Sequence, residues 1–214
     1  PPKGYLKRIR EICNKHGILL IFDEVITGWG RTGSAFAAQE WNVTPDIMTM
    51  AKATTNGVVP MGVVAVKEEI YDTVLDASSA PEGTPELFHG YTYSGIPVAV
   101  AAALAVQDIF DKEDIFKRAK EMSPYLQDGL QSLKDLKEVV SIRGYGMMGG
   151  IEINKREKPG KAGYQVFKHC YDVGVNFKNT GDNLIIAPQF ICEKKHIDEI
   201  IEKLRTGISN YSKS

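Results

Sequence analysis

Apolar residues fall at helical spacing in GYLKRIREICNKH (4–16), where Leu6, Ile9, Ile12 and Cys13 share a stripe and Gly17 supplies a stop. ILLIF (18–22) then breaks the rhythm: a continuous apolar run predicts a strand covered on both faces. AFAAQEW (35–41) reads as a short helix, IMTMA (47–51) as a second buried strand ending at Lys52, and MGVVAV (61–66) as a third. KEEIYDTVL and the Ala-rich run from Pro97 to about Phe110 predict helices, the second of them closely packed. A further helical stretch with interleaved polar and apolar residues extends from Asp114 to about Leu136.

The character changes near residue 138. EVVSIRGYGMMGGIEIN (138–154) predicts two strands around a Gly-rich turn, KAGYQVFKHCYDVG (161–174) a helix, NLIIAP (183–188) a strand and HIDEIIEKLRTGISNY (196–211) an amphipathic closing helix. An α/β layer followed by a small α+β domain is the implied fold, with the boundary inside 133–140 and the domains spanning 1–136 and 137–214. A doubly wound layer needs about five or more parallel strands, and three are readable before residue 70. The chain also opens on Pro1 and Pro2 with no initiator Met, so the first domain is expected to be the later part of a larger one.

Composition removes several function classes. The 214 residues carry 26 Lys plus Arg against 27 Asp plus Glu, without a basic tract of five, so nucleic acid is not an expected partner. The longest apolar run, PVAVAAALAV (97–106), is too short to span a bilayer, so no membrane is expected. Cys13, Cys170 and Cys192 are an odd, sparse set, which points to a reducing, cytoplasmic setting and to thiols that serve as small buried hydrophobes. His16, His89, His169 and His196 form no HExxH or close His/Cys cluster, and no metal is expected.

Chemistry concentrates at two strand ends. In open α/β sheets ligands bind beyond the carboxyl ends of the strands, and Asp23 and Lys52 both stand there, each after an apolar run that predicts poor solvation. Two readings are open: an Asp23–Lys52 ion pair, or an acid that meets a cationic heterocycle beside a desolvated amine able to form a Schiff base. Small and polar residues after Lys52, leading to a turn at Gly57, leave space for an organic group. HGYTYSGIP (89–97) sets Thr92, Tyr93 and Ser94 at a helix start, either as an anion site or with Ser94 as a simple cap. GxGxxG after a strand and GxxxxGK[ST] are both missing, and GYGMMGG (144–150) reads as a tight strand connection.

LLIFDEVITGWGRTG (19–33), TPDIMTMAKATTNGVVPMG (44–62), ELFHGYTYSG (86–95) and IRGYGMMGGIE (142–152), in this order, resemble the C-terminal half of a class III (omega) aminotransferase. The nearest likeness is to the omega-amino acid:pyruvate group, including beta-alanine:pyruvate enzymes. The resemblance implies a fold-type I scaffold with pyridoxal 5'-phosphate as cofactor: part of the large domain, with a mixed, mostly parallel sheet, and the small C-terminal domain. It implies that Lys52 carries the internal aldimine and moves the proton, that Asp23 pairs with the pyridine nitrogen, and that Val25 packs on the ring. Thr92 would hold the phosphate of the cofactor in the neighbouring subunit of a homodimer. The implied reaction moves an amino group from an omega-amino acid or amine to a keto acid such as pyruvate.

Departures from the family pattern bear on substrate more than on cofactor. Lys178 in GVNFKNTGD (174–182) stands where an Arg commonly binds a substrate carboxylate, and it reads equally as a solvated surface lysine. Ile96 replaces the usual His after Ser-Gly, and PQF (188–190) stands where two prolines are common. The family's N-terminal half, with its phosphate-binding Gly-Ser segment and ring-stacking aromatic, is expected from a separate or omitted chain. Aminomutase or epimerase chemistry on the same scaffold, or a catalytically incomplete half with a structural role, are the alternatives.

Overall fold

The computed structural model describes residues 1–77, 90–155 and 158–213. The chain divides into two compact units, Pro1–Trp29 with Ser34–Asp114, and Gly30–Gly33 with Ile115–Ser214.

In the first unit, helix α1 (Tyr5–His16) ends at Gly17, whose left-handed backbone (φ 63°) lets its N–H reach the Cys13 carbonyl. Strand β1 (Ile21–Asp23) follows, then the single turn α2 (Ala37–Glu40), β2 (Ile47–Met50) and β3 (Val63–Val66). The sheet is mixed and ordered β1-β2-β3: β1 and β2 are parallel, and β3 returns antiparallel to β2. Helices α3 (Glu68–Asp76) and α4 (Pro97–Lys112) complete the unit.

Cys13, Leu20 and Val43 form its small buried cluster, with Leu6, Ile9 and Phe22 packed against it. The expectation that ILLIF is covered on both faces is therefore corrected. Leu20 is buried, whereas Ile18, Leu19 and Ile21 are 53%, 55% and 57% exposed, because only the α1 side of the strand has a cover among the described residues. Helix α4 likewise buries Ala99, Val106 and Phe110 but leaves Val98 and Leu104 exposed, so it is packed along one face and not all round. Asp46, buried just before β2, ties these elements together. It accepts the Leu20 N–H at 2.7 Å and pairs with Arg10 at 2.7 Å and Lys67 at 2.8 Å.

The second unit is α5 (Ile115–Gln131), the hairpin β4 (Val139–Tyr145) and β5 (Met148–Ile153), α6 (Lys161–Asp172), β6 (Lys178–Thr180), β7 (Asn183–Ile186) and α7 (Lys194–Lys213). Its sheet is antiparallel throughout, ordered β4-β5-β7-β6. Burial alternates residue by residue along β5, as a sheet with one covered face requires. Helices α5 and α6 lie on the sheet and α7 packs against both, enclosing Leu126, Leu130, Ile151, Ile153, Leu184 and Leu204. Helix α5 packs on β4, β5 and α7, so the compact units divide at Asp114/Ile115, where the sequence reading put the change at 136/137. The three polar residues of β6 carry no apolar periodicity and were not anticipated as a strand.

Candidate active site

The β1–β2 pairing is what organises this region. Asp23 stands opposite Thr49 across the parallel pair, and β2 ends one residue later, just before Ala51 and Lys52. Parallel register thus delivers Asp23 and Lys52 to the same, carboxyl end of two adjacent strands. Among the described residues no ion pair joins them. Both are exposed in this chain, which corrects the expectation of poor solvation: the face of β1 that carries Asp23 has no cover among the described residues. Asp23 Oδ1 accepts the Val25 N–H at 3.0 Å, a local turn that fixes its carboxylate at the strand end.

Glu24 takes the opposite course. It is 1% exposed, and its carboxylate accepts the N–H groups of Ala37 at 3.0 Å and Ala38 at 2.8 Å, together with the Thr27 hydroxyl. Its own N–H donates to the Thr49 carbonyl at 2.9 Å, extending the β1–β2 ladder by one bond. The Gly-rich segment that follows is well fixed: Gly28, Gly30, Thr32 and Gly33 are all buried. Trp29 closes the base of the excursion by donating its N–H to the Ala35 carbonyl.

Arg31 belongs to the second unit. Its guanidinium donates to the carbonyls of Met147 at 3.0 Å and Pro188 at 2.5 Å and stacks 4.6 Å from the centre of the Phe190 ring. The Arg31 carbonyl in turn accepts the Met147 N–H at 2.8 Å, and the Gly146 Cα lies where a Cβ would strike that same carbonyl. Burial pulls the Arg31 pKa down, with the Cys192 thiol opposing it. GYGMMGG is thus the β4–β5 turn, as its spacing implied, and is clasped by Arg31.

Lys52 opens a 3-10 turn (Lys52–Thr54) with a positive φ of 49°. A non-glycine residue pays about 1–3 kcal/mol to stay there and needs its surroundings to hold it. Asn56 and Gly57 follow with φ of 51° and 80°, the turn anticipated at Gly57. Beside this turn lies a cleft of about 620 Å³ lined by Val25, Thr49, Met50 and Ala51 from the strand ends and by Tyr91, Tyr93 and Ser94 from the approach to α4.

Thr92 is exposed in the tight turn 92–95. Ser94 does not cap α4: the cap residue is Ile96, without a side-chain bond, and Ser94 Oγ instead accepts the Tyr91 N–H at 2.9 Å. Pro97 at the first helical position makes a missing N–H costless there. Lys178 lies in the second unit, exposed on the edge strand β6 opposite Ile185. Of the five residues singled out from sequence, Asp23, Val25, Lys52 and Thr92 fall in one unit and Lys178 in the other. Glu24, Arg31, Trp29 and Thr54 were not singled out, and only the polarity of Glu24 and Arg31 inside an otherwise small-residue loop hinted at them.

The three cysteines are buried and unpaired, as their spacing implied. Among the described residues no group of His, Cys, Asp and Glu is placed to hold a metal, and no helix is long and apolar enough to cross a membrane. His89 lies outside the described residues.

The Aminotransferase class-III family model matches residues 1–208. The chain is 48% identical over 206 residues to an omega-aminotransferase of Caulobacter vibrioides, covering 96% of this chain and 46% of that protein. It is 44% identical over 207 residues to the omega-amino acid–pyruvate aminotransferase of Pseudomonas putida, covering 94% and 45%. A solved (S)-enantioselective omega-transaminase from Thermomicrobium roseum superposes with a TM-score of 0.90 at 37% identity, covering 99% of this chain and 47% of its own. The chain belongs to the class-III aminotransferases, and it spans about half the length of the curated relatives it matches.

That family uses pyridoxal phosphate, and the donor set here fits it. A primary amine and a carboxylate stand at neighbouring strand ends, and an apolar Val25 lines the adjoining cleft.

Proposed function

We propose that this chain is the lysine-bearing half of a pyridoxal-phosphate-dependent aminotransferase that moves an amino group between an omega-amino acid or amine and a keto acid such as pyruvate. The in-register parallel pair that brings Asp23 and Lys52 to one sheet edge carries the reading. When bound, pyridoxal phosphate supplies the electron sink and the carrier for the amino group.

The chain's own residues have distinct tasks. Lys52 Nζ would hold the cofactor, and the same amine would take and return the proton as general base and acid. Asp23, its carboxylate fixed by the Val25 N–H, holds the proton on the ring nitrogen. Val25, on the cleft wall, packs against the ring. Thr92 binds the phosphate of the cofactor in a second subunit, so the active sites of a homodimer are shared. Lys178, a point charge in place of a fork, meets a substrate carboxylate with less geometric selection than an arginine would.

Asp23 and Lys52 are exposed in this chain, and a carboxylate that holds a ring proton does so best away from water. The proposal therefore includes a cover, supplied by the portion of the relatives' length that lies beyond this chain. The buried, unpaired thiols favour a cytoplasmic setting.

The test is incubation of the protein with pyridoxal phosphate, borohydride reduction and peptide mapping by mass. A cofactor-sized adduct concentrated on the Lys52 peptide and lost in Lys52→Ala supports the reading. Labelling spread evenly over exposed lysines overturns it.

A further inference from the structure

The turn that presents Lys52 is held by a relay that begins 23 positions earlier in the chain. The Trp29 indole Nε1–H donates to Thr54 Oγ1 at 3.0 Å, and Thr54 Oγ1 donates to the Ala51 carbonyl at 3.1 Å. The direction is fixed by chemistry: an indole N–H can only donate, so the hydroxyl accepts from it and sends its own proton to the carbonyl. The Thr54 N–H reaches the same Ala51 oxygen at 3.1 Å. Two donors from one residue therefore grip the peptide plane that joins Ala51 to Lys52.

We propose that Trp29 and Thr54 are positioning residues for the Lys52 amine, fixing the left-handed backbone from which it is presented. The inference rests on Lys52 being the amine that takes the cofactor. Lys52 is strained, and such a conformation persists only when its surroundings over-determine it. Thr54 is 3% exposed, so its hydroxyl has no bulk water to turn to. Trp29 is itself held rigidly. Its ring centre is 4.8 Å from that of Phe36 and 6.3 Å from that of Phe110, its N–H is bound to Ala35, and its φ is 65°. A tryptophan that merely filled space would need no indole nitrogen aimed at a hydroxyl two residues past the lysine. An amine that must alternately bind and move a proton tolerates little displacement, since an error of about 1 Å costs on the order of 100-fold in rate.

Thr54→Val removes the hydroxyl at nearly constant volume, Trp29→Phe removes the indole N–H together with one ring of the side chain, and Thr54→Ser keeps the hydroxyl. The cofactor-free protein is treated with formaldehyde and cyanoborohydride across a pH series, and methylation of Lys52 is read by peptide mass against Lys178 as internal reference. Amide hydrogen exchange of 51–58 and of Ile47–Met50 is followed alongside. The expected result is a roughly tenfold faster exchange in 51–58 and a changed rate of Lys52 methylation relative to Lys178 in the Val and Phe variants. Protection of Ile47–Met50 is retained in both, and the Ser variant behaves as wild type.

Unchanged Lys52 reactivity in the Val and Phe variants overturns the proposal. So does loss of Ile47–Met50 protection, which would make the relay a general support of the sheet, and so does a Ser variant that fails as Val does. Because no cofactor enters this measurement, it can succeed where the borohydride adduct is absent, which would sink the functional reading and leave the relay standing.

Discussion

Asp23 and Glu24 are neighbours in the chain with opposite environments: Asp23 faces solvent at the strand end, and Glu24, one residue on, is 1% exposed beneath the loop. Alternation along an extended chain sends successive side chains to opposite sides. The DE pair thus splits into one carboxylate left at the surface of this chain and one that holds the loop together. Glu24→Ala would leave the Ala37 and Ala38 amides and the Thr27 hydroxyl without their acceptor. The expected cost is about 2–3 kcal/mol, read as a lower unfolding midpoint. Exchange at Ala37 and Ala38 should quicken before that of β2.

Arg31 joins loop and hairpin by shape as well as charge. Arg31 serves the Met147 and Pro188 carbonyls from one nitrogen while its flat guanidinium covers the Phe190 ring, and a lysine at this place has no planar group to stack there. Arg31→Lys should therefore destabilise the second unit by roughly 1–2 kcal/mol, nearly as much as Arg31→Ala. A urea titration of both variants checks this. A lysine variant equal to wild type would mean that charge alone suffices.

Asp46 gives the first unit an acid limit. Burial pushes its carboxyl up, but the Leu20 N–H, Lys67 and Arg10 together outweigh this and hold it well below the ordinary carboxylate range. A folded-state pKa below the unfolded one means stability that is complete above the unfolded value of about 3.9 and drains away as pH falls beneath it. Asp46→Asn should lower the unfolding midpoint at pH 7 and flatten its fall between about pH 4 and pH 2. Thermal melts across that range, monitored for α1, are the measurement.

What could be read from the sequence was what local periodicity encodes. Helix α1, the β4–β5 hairpin and the closing helix α7 each carry their own signal within about 20 residues, and Asp23 and Lys52 were found because both end apolar runs. What was not legible depends on distant partners. Arg31 finds its acceptors 116 and 157 positions away, and Asp46 its arginine 36 positions away, with no short-range pattern to mark them. Exposure failed for a related reason. An apolar run such as ILLIF states that a strand is to be covered, and cannot state whether the cover lies in the same stretch of chain.

The contact between α6 and α7 is made at Gly207, whose Cα leaves no room for a Cβ: it would meet the Cys170 Sγ, with the Cys170 Cα and N at 2.9 Å. Two backbones this close cannot part without opening the core that Ile208, Leu204 and Val166 share. Gly207→Ala should cost about 1–3 kcal/mol by overpacking. Cys170→Ala in the same chain should restore part of it by removing the sulfur, though not the backbone approach. The thiol adds a pH signature. Burial pushes its pKa up to about 12, so its contribution is complete below the unfolded value of about 8.5 and is lost progressively as pH climbs towards the folded one. Cys170 should resist alkylation in the native protein at pH 8 and react once denatured, and Cys170→Ala should flatten the alkaline fall in stability. Alkylation of native Cys170 at the rate of the denatured chain would mean that the α6–α7 contact opens readily.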